Sequence, residues 1–334
     1  MRNQVPHGGL ECGTQVPAPP PYLVSPVRLT AEYLGLTLSV AAAVIFIFGH
    51  RPLLAADPFR TNNARDIGEH TETAFKTIFL LGNYKAVNGE LGLAEAKEAN
   101  EPLAHAIKGS LAFTEEDWET LKACALKTLE TAEVLKATDP LRGNLYLAVG
   151  HFLDGTYIYQ KEGAFGAIQK LQLVFQYFDA AESIDPNDPE LNLIKGYMDL
   201  LLAVNLPFSS PEQAIARFEQ YAAPNYLVER GLAVAYRDLK QYDKALVSVD
   251  KALQIAPENP ELYYLKGQIL KKKGKQEKNL PILQEAIVHF EQAMSKSEQL
   301  PLFVVKPLTR ELRQTQESLA EIRAELGAST ARRK

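Results

Sequence analysis

The sequence predicts an all-α solenoid of helix-turn-helix repeats with a C-terminal capping helix. Three observations carry that prediction. Residues 225–259 read as two amphipathic helices joined by a tight polar turn. PELNLIKGYMDLLLAVN at 189–205 is echoed by PELYYLKGQILKKKGKQ at 260–276, and LPFSSPEQAIARFEQYA at 206–222 by LPILQEAIVHFEQAM at 280–294. Self-similarity at such a period marks stacked repeats, because one hairpin cannot bury its apolar faces alone. Finally, a polar stretch opened by Pro307 carries only a narrow apolar stripe: Leu308, Leu312, Leu319, Ile322 and Leu326. A terminal helix with one wet face has that pattern.

Within 225–259, Leu232, Tyr236 and Leu239 share a helix face at spacings of three and four. Ala245, Val249, Ala252 and Leu253 share the face of a second helix. Lys240-Gln241-Tyr242-Asp243 is the turn, and Ala233 and Ala245 are small where the helices would cross. Pro257 and Pro260 are expected to stop the second helix. Counted from Asn225 as zero, Leu232, Ala233, Tyr236, Ala245, Val249, Ala252 and Pro257 fall at 7, 8, 11, 20, 24, 27 and 32. With that spacing the stretch resembles the tetratricopeptide repeat (TPR), a hairpin of about 34 residues. Glu229 and Val249 stand where Trp and Phe are usual. The resemblance implies a right-handed, TPR-like superhelix whose first helices line a concave groove for a protein or peptide.

The chain has 334 residues, enough for one extended domain or two compact ones. A net charge of −5 argues against a nucleic-acid binder, which needs a clustered basic face. Two cysteines, Cys12 and Cys124, cannot make a disulfide framework or a structural zinc site. Cys124 lies in a helical apolar pattern and reads as an inert core thiol.

Residues 1–27 are rich in Pro and Gly and are expected to be disordered. A start near Val27 would instead open a compact signal with a basic n-region, making residues 1–26 a misassigned start. Residues 28–56 then read as a signal peptide or membrane anchor. Their uncharged run 33–49, YLGLTLSVAAAVIFIFG, is short for a transmembrane span and long for a signal core. Ala55-Ala56 before Asp57 favours cleavage near Ala56 over an uncleaved anchor or a buried core helix.

An extended lead-in over 57–67 precedes about six repeats over 68–300. The first unit has a helix over 71–81, a turn at Gly82-Asn83-Tyr84, and Val87, Leu91 and Ala94 on its second helix. In the second, Trp118 takes the turn and the second helix runs to about Ala137. The third is about a dozen residues over length. Gly163 and Gly166 are breakers there, and longer helices absorb the excess. In the fourth and sixth units the linker between paired helices is expected to be stretched. The capping helix occupies 301–327, with a frayed tail over 328–334.

Beyond the repeat, PLLAADPFR at 52–60, TDPLRGNLYLAVGHFL at 138–153 and PNDPELNLIKGYMDLLLAVNLPFS at 186–209 resemble a cyanobacterial family of exported TPR proteins of unassigned role. The likeness covers residues 53–275. It implies a periplasmic or thylakoid-lumenal setting and no known chemistry.

No nucleophile elbow, phosphate loop or His-Glu-x-x-His pair occurs, and no two of the six histidines stand at metal-ligand spacing. No catalytic, cofactor or metal site is expected, and the chain reads as a non-enzyme. The enzymatic alternative rests on His151 and Asp154, an i,i+3 pair assigned to the concave side. A third reading is a purely structural spacer. The lysines at 271, 272, 273, 275 and 278 read as a solvated helix end. Some TPRs clamp an acidic chaperone tail with Lys and Asn. Here those places hold Arg230, Gly231 and Val234, then Tyr264, Leu265 and Gln268, so the clamp is absent.

The sequence therefore predicts a protein-interaction scaffold outside the cytoplasm, serving assembly or maintenance of a membrane complex. Membrane contact is confined to 33–49, if uncleaved. The helix over 191–206 is apolar on nearly every side and must be covered, by the linker 207–211 or by a ligand. Its groove would be formed by Leu193, Tyr197, Leu200, Arg230, Val234, Arg237, Tyr264, Gln268 and Lys271.

Overall fold

The computed structural model describes residues 57–60, 62–205 and 211–331. Among them are thirteen α-helices, one short 3-10 turn and no strand. The helices pair in chain order as α1 Glu69–Phe79 with α2 Val87–Lys97, α3 Pro102–Thr114 with α4 Trp118–Leu135, and α5 Pro140–Glu162 with α6 Ala164–Glu182. There follow α7 Pro189–Asn205 with α8 Pro211–Gln220, α9 Asn225–Asp238 with α10 Tyr242–Ile255, and α11 Pro260–Glu277 with α12 Leu280–Met294. The turn Ser297–Gln299 leads to α13, Leu302–Ala331, which packs on α12 and α11. The chain is an all-α, TPR-like solenoid of six hairpins with a terminal helix. Among the described residues no helix is long and apolar enough to cross a membrane. The run at 33–49, the candidate cut at Ala56 and the linker 206–210 lie outside them.

Starts of the first helices share a local device. Glu101, Asp139 and Asn259 each cap the next helix by accepting a backbone N–H, and Pro102, Pro140 and Pro260 take its first position. Proline suits that position because its missing N–H would have no intrahelical partner there. Pro260, expected as a stop, is thus a start.

The first helices form the inner layer. In α9 ten of fourteen residues are buried, against four of fourteen in α10. Glycines let second helices press onto them. A Cβ on Gly150 of α5 would lie 2.8 Å from Leu129 Cδ2 of α4. Gly150→Leu is therefore expected to cost roughly 1–3 kcal/mol by overpacking. Chemical denaturation measures the loss; melting like wild type would mean the α4–α5 crossing is misplaced.

Several boundaries differ from expectation. The first helix opens two residues early, at Glu69, because a remote group caps it. Glu98 Oε1 accepts from His70 N and Oε2 from Thr71 N, both at 2.8 Å. In the third unit Gly163 alone breaks the chain, at φ 79°, and Gly166 lies inside α6. Helices of 23 and 19 residues absorb the extra length there, as expected. The sixth-unit linker is not stretched: only Lys278 and Asn279 separate its helices, and α11 is longer instead. Pro307 does not open the last helix but sits inside it. Pro301 does the opening, its carbonyl accepting from Val304 N at 2.9 Å and Val305 N at 3.1 Å. Rather than stopping at Gly327, α13 runs to Ala331.

The first unit also touches the last. Tyr84 N donates to Gln299 O at 2.9 Å, Tyr84 Oη to Glu261 Oε1 at 3.1 Å, and Asn259 Nδ2 to Phe79 O at 3.0 Å.

Candidate partner-binding surface

Charged groups line the N-terminal ends of the first helices. Arg142, in the first turn of α5, holds Glu101 in a forked pair, Nη1 to Oε2 at 2.8 Å and Nη2 to Oε1 at 2.7 Å. Its Nε donates to Glu190 Oε2 of α7 at 3.2 Å. Glu190 is fully buried and also accepts from Tyr146 Oη at 2.7 Å and Arg65 Nη1 at 3.0 Å. Burial alone would weaken the Arg142 charge. The two carboxylates outweigh it and hold the guanidinium protonated.

The chain's own N-terminal stretch lies across these ends. Arg65 Nε donates to Asp139 Oδ2 at 2.6 Å and Nη2 to Asp188 Oδ2 at 3.3 Å, and Arg60 also pairs with Asp188. Asp57 Oδ1 accepts from Phe59 N at 2.8 Å and Oδ2 from Arg65 N at 3.2 Å. Phe59 and Ile67 are buried, and Phe59 meets Phe75 edge-on with ring centroids 4.9 Å apart. Residues 57–84 therefore run from the first turns of α5 and α7 to that of α11.

Residues 234–274 match the family model described as TPR repeat. The matched stretch starts inside α9, spans α10 and ends within α11. That stretch is similar to a TPR repeat. Comparison with curated proteins and comparison with solved structures each returned no match.

The nine residues placed on the TPR groove fall on α7, α9 and α11, and eight of them are buried. Leu193, Leu200 and Val234 are core. Tyr197 Oη donates to Leu227 O at 2.8 Å. Arg230 Nη1 stands 3.1 Å from Glu261 Oε2; burial disfavours its charge, but Glu261 outweighs that and raises its pKa. Arg237 Nη1 donates to Gln268 Oε1 at 2.6 Å. Tyr264 packs on Phe290, with ring centroids 5.9 Å apart. Lys271 Nζ reaches Glu311 Oε2 at 3.1 Å and Gln314 Oε1 at 3.0 Å on α13. The contacts of the last helix and of the N-terminal stretch with the first helices were hidden from sequence, because they join residues far apart in the chain.

His151 and Asp154, the pair on which the enzymatic alternative rests, take separate partners. Asp154 Oδ1 takes Lys122 Nζ of α4 at 2.6 Å and Oδ2 takes Lys170 Nζ of α6 at 2.7 Å. His151 stacks on Tyr177 of α6, with ring centroids 5.4 Å apart. Burial would raise the Asp154 pKa, but the two ammonium groups outweigh it and hold the carboxylate below its usual range. A depressed carboxylate stabilises the fold above its unfolded pKa and loses that contribution as pH falls. Asp154→Asn is expected to cost about 1.5–3 kcal/mol at neutral pH. Its deficit against wild type should shrink below about pH 4. Urea melts at several pH values test this, and a pH-independent deficit would contradict the ion-pair account.

Cys124 is buried, and burial pushes its thiol up to about 11, as suits a core residue. Within the lysine run, Lys278 Nζ pairs with Glu325 Oε2 at 2.7 Å, and Lys273 pairs with Asp243.

Proposed function

We propose that the chain is a non-enzymatic scaffold that captures a protein or peptide outside the cytoplasm, in assembly or maintenance of a membrane complex. The observation that carries the scaffold reading is a TPR repeat set in a continuous solenoid of six hairpins. TPR repeats generally bind protein or peptide partners. Here the partner lies along Leu193, Tyr197, Arg230, Val234 and Tyr264, which are buried in this structure, and reaches them as the lead-in ahead of α1, with Arg60 and Arg65, is displaced. Arg60 and Arg65 then mark the chemistry that a competing segment must match: a cation for Asp139, Asp188 and Glu190.

Location outside the cytoplasm rests on the uncharged run at 33–49 and the small pair Ala55-Ala56. The periplasm or a thylakoid lumen suits the resemblance of residues 53–275 to exported TPR proteins. Asp57 and Phe59, which follow that pair, are both buried.

Two experiments test the reading. Residues 27–60 fused to a reporter should carry it across the membrane and be trimmed near Ala56. Retention in the cytoplasm would end the export proposal, whereas an exported, uncut reporter would favour the anchor. Pull-down from membrane extract should recover a partner, and more of it with Arg65→Ala than with wild type. Equal recovery would remove the displacement step. Recovery of nothing by either form would count against the scaffold.

A further inference from the structure

We propose a second binding site, away from the first-helix groove, that takes the aliphatic chain of a medium-chain carboxylate. A cavity of about 310 Å3 lies where α5, α6 and α7 meet. That volume is at the lower end for small-molecule pockets, about 300–1,000 Å3. Its walls include Phe152 of α5, Leu171 and Val174 of α6, and Met198, Leu201 and Leu202 of α7. Ile168, 52% exposed, stands on the lining, and Phe165, 86% exposed, lies one turn before it on α6. Large apolar groups left exposed beside an apolar hollow mark a place where something apolar docks.

Polar chemistry at the cavity is sparse and one-sided. The Thr156 hydroxyl is used within its helix, donating to Phe152 O at 2.9 Å. The Nδ1 of His151 is buried with no hydrogen-bond partner, and His151 lines the cavity. A buried polar atom left without a partner is costly and rare. Lys170 lines it as well, and Lys170 and Lys122 share the single carboxylate of Asp154. Two ammonium groups on one carboxylate leave a positive charge uncompensated beside an apolar hollow. One aliphatic tail with one anionic head answers the apolar walls and the lysine charge. A peptide backbone answers neither, since it brings donors and acceptors that these walls cannot satisfy.

Calorimetric titration of the full chain with decanoate tests the assignment. Saturable one-to-one binding is expected. Lys170→Gln should weaken decanoate roughly tenfold, the size of one charge-assisted hydrogen bond, and leave decanol unchanged. Ala167→Phe, which narrows the cavity from α6, should abolish uptake of both. A measurement on wild type guards against a variant that fails to fold: decanoate should slow acetylation of Lys170 relative to Lys127, read by mass spectrometry. Absence of saturable binding, uptake unchanged in folded Ala167→Phe, or no protection of Lys170 would each overturn the proposal.

Discussion

Glu190→Ala is expected to destabilise the chain by about 3–5 kcal/mol, the loss typical of removing one partner from a buried ion pair. Glu190 is fully buried and serves three donors from separate parts of the chain: Arg65, Arg142 and Tyr146. Deleting it leaves the Tyr146 hydroxyl without this acceptor and Arg142 with Glu101 alone. It also frees one arm of Arg65, which helps pin residues 57–67 over α5 and α7. Most of the loss is thus the penalty of stranded groups, not the worth of the contact. The control follows from that distinction. Glu190→Gln keeps an acceptor for Tyr146 and should lose less. Denaturant midpoints for the two variants give the comparison. Equal and small losses would mean that the cluster is solvated, contrary to its burial.

The hairpins were legible because their signals are local. The apolar spacing and the small crossing residues fall within one repeat, and the echo between 189–222 and 260–294 shows that local pattern twice. The long third unit was legible too, since Gly163 is the only positive-φ break between its helices. Effects that join distant positions were not. Arg65 sits in a polar run that reads as an extended lead-in, yet it binds carboxylates 74 to 125 residues away. Glu98 caps α1 from the far end of the next helix. Likewise, repeat spacing placed Lys271 and Gln268 on a groove without revealing that Glu311 of the last helix would meet both. Asp154 was aligned to the concave side. Its carboxylate is instead held, buried, between Lys122 and Lys170 of the flanking helices.

Phe218→Ala is expected to cost about 3–5 kcal/mol by opening a cavity that its neighbours cannot refill. Phe218, on α8, is 2% exposed and meets Tyr197 edge-on, with ring centroids 5.2 Å apart. Its ring lies against two glycines on different helices. A Cβ on Gly196 of α7 would come within 2.6 Å of Cε1, and one on Gly231 of α9 within 2.5 Å of Cε2. One ring therefore joins the fourth unit to the fifth. Phe290 of α12 meets Gly267 of α11 at 2.6 Å from Cδ1, so a phenylalanine on a first-helix glycine recurs at 218 and 290. Glycine walls have no side chain to move into the space, so collapse needs whole helices to shift. In a solenoid the damage should stay near the broken interface. Amide exchange should accelerate in α7, α8 and α9 and little in α3 or α4. The glycines supply a second readout. Gly231→Ala should destabilise the wild type, where its Cβ meets the ring, but be tolerated or favourable beside Phe218→Ala. A Phe218→Ala loss no larger than a surface substitution, about 0.5 kcal/mol, would mean that the ring does not hold the two units together.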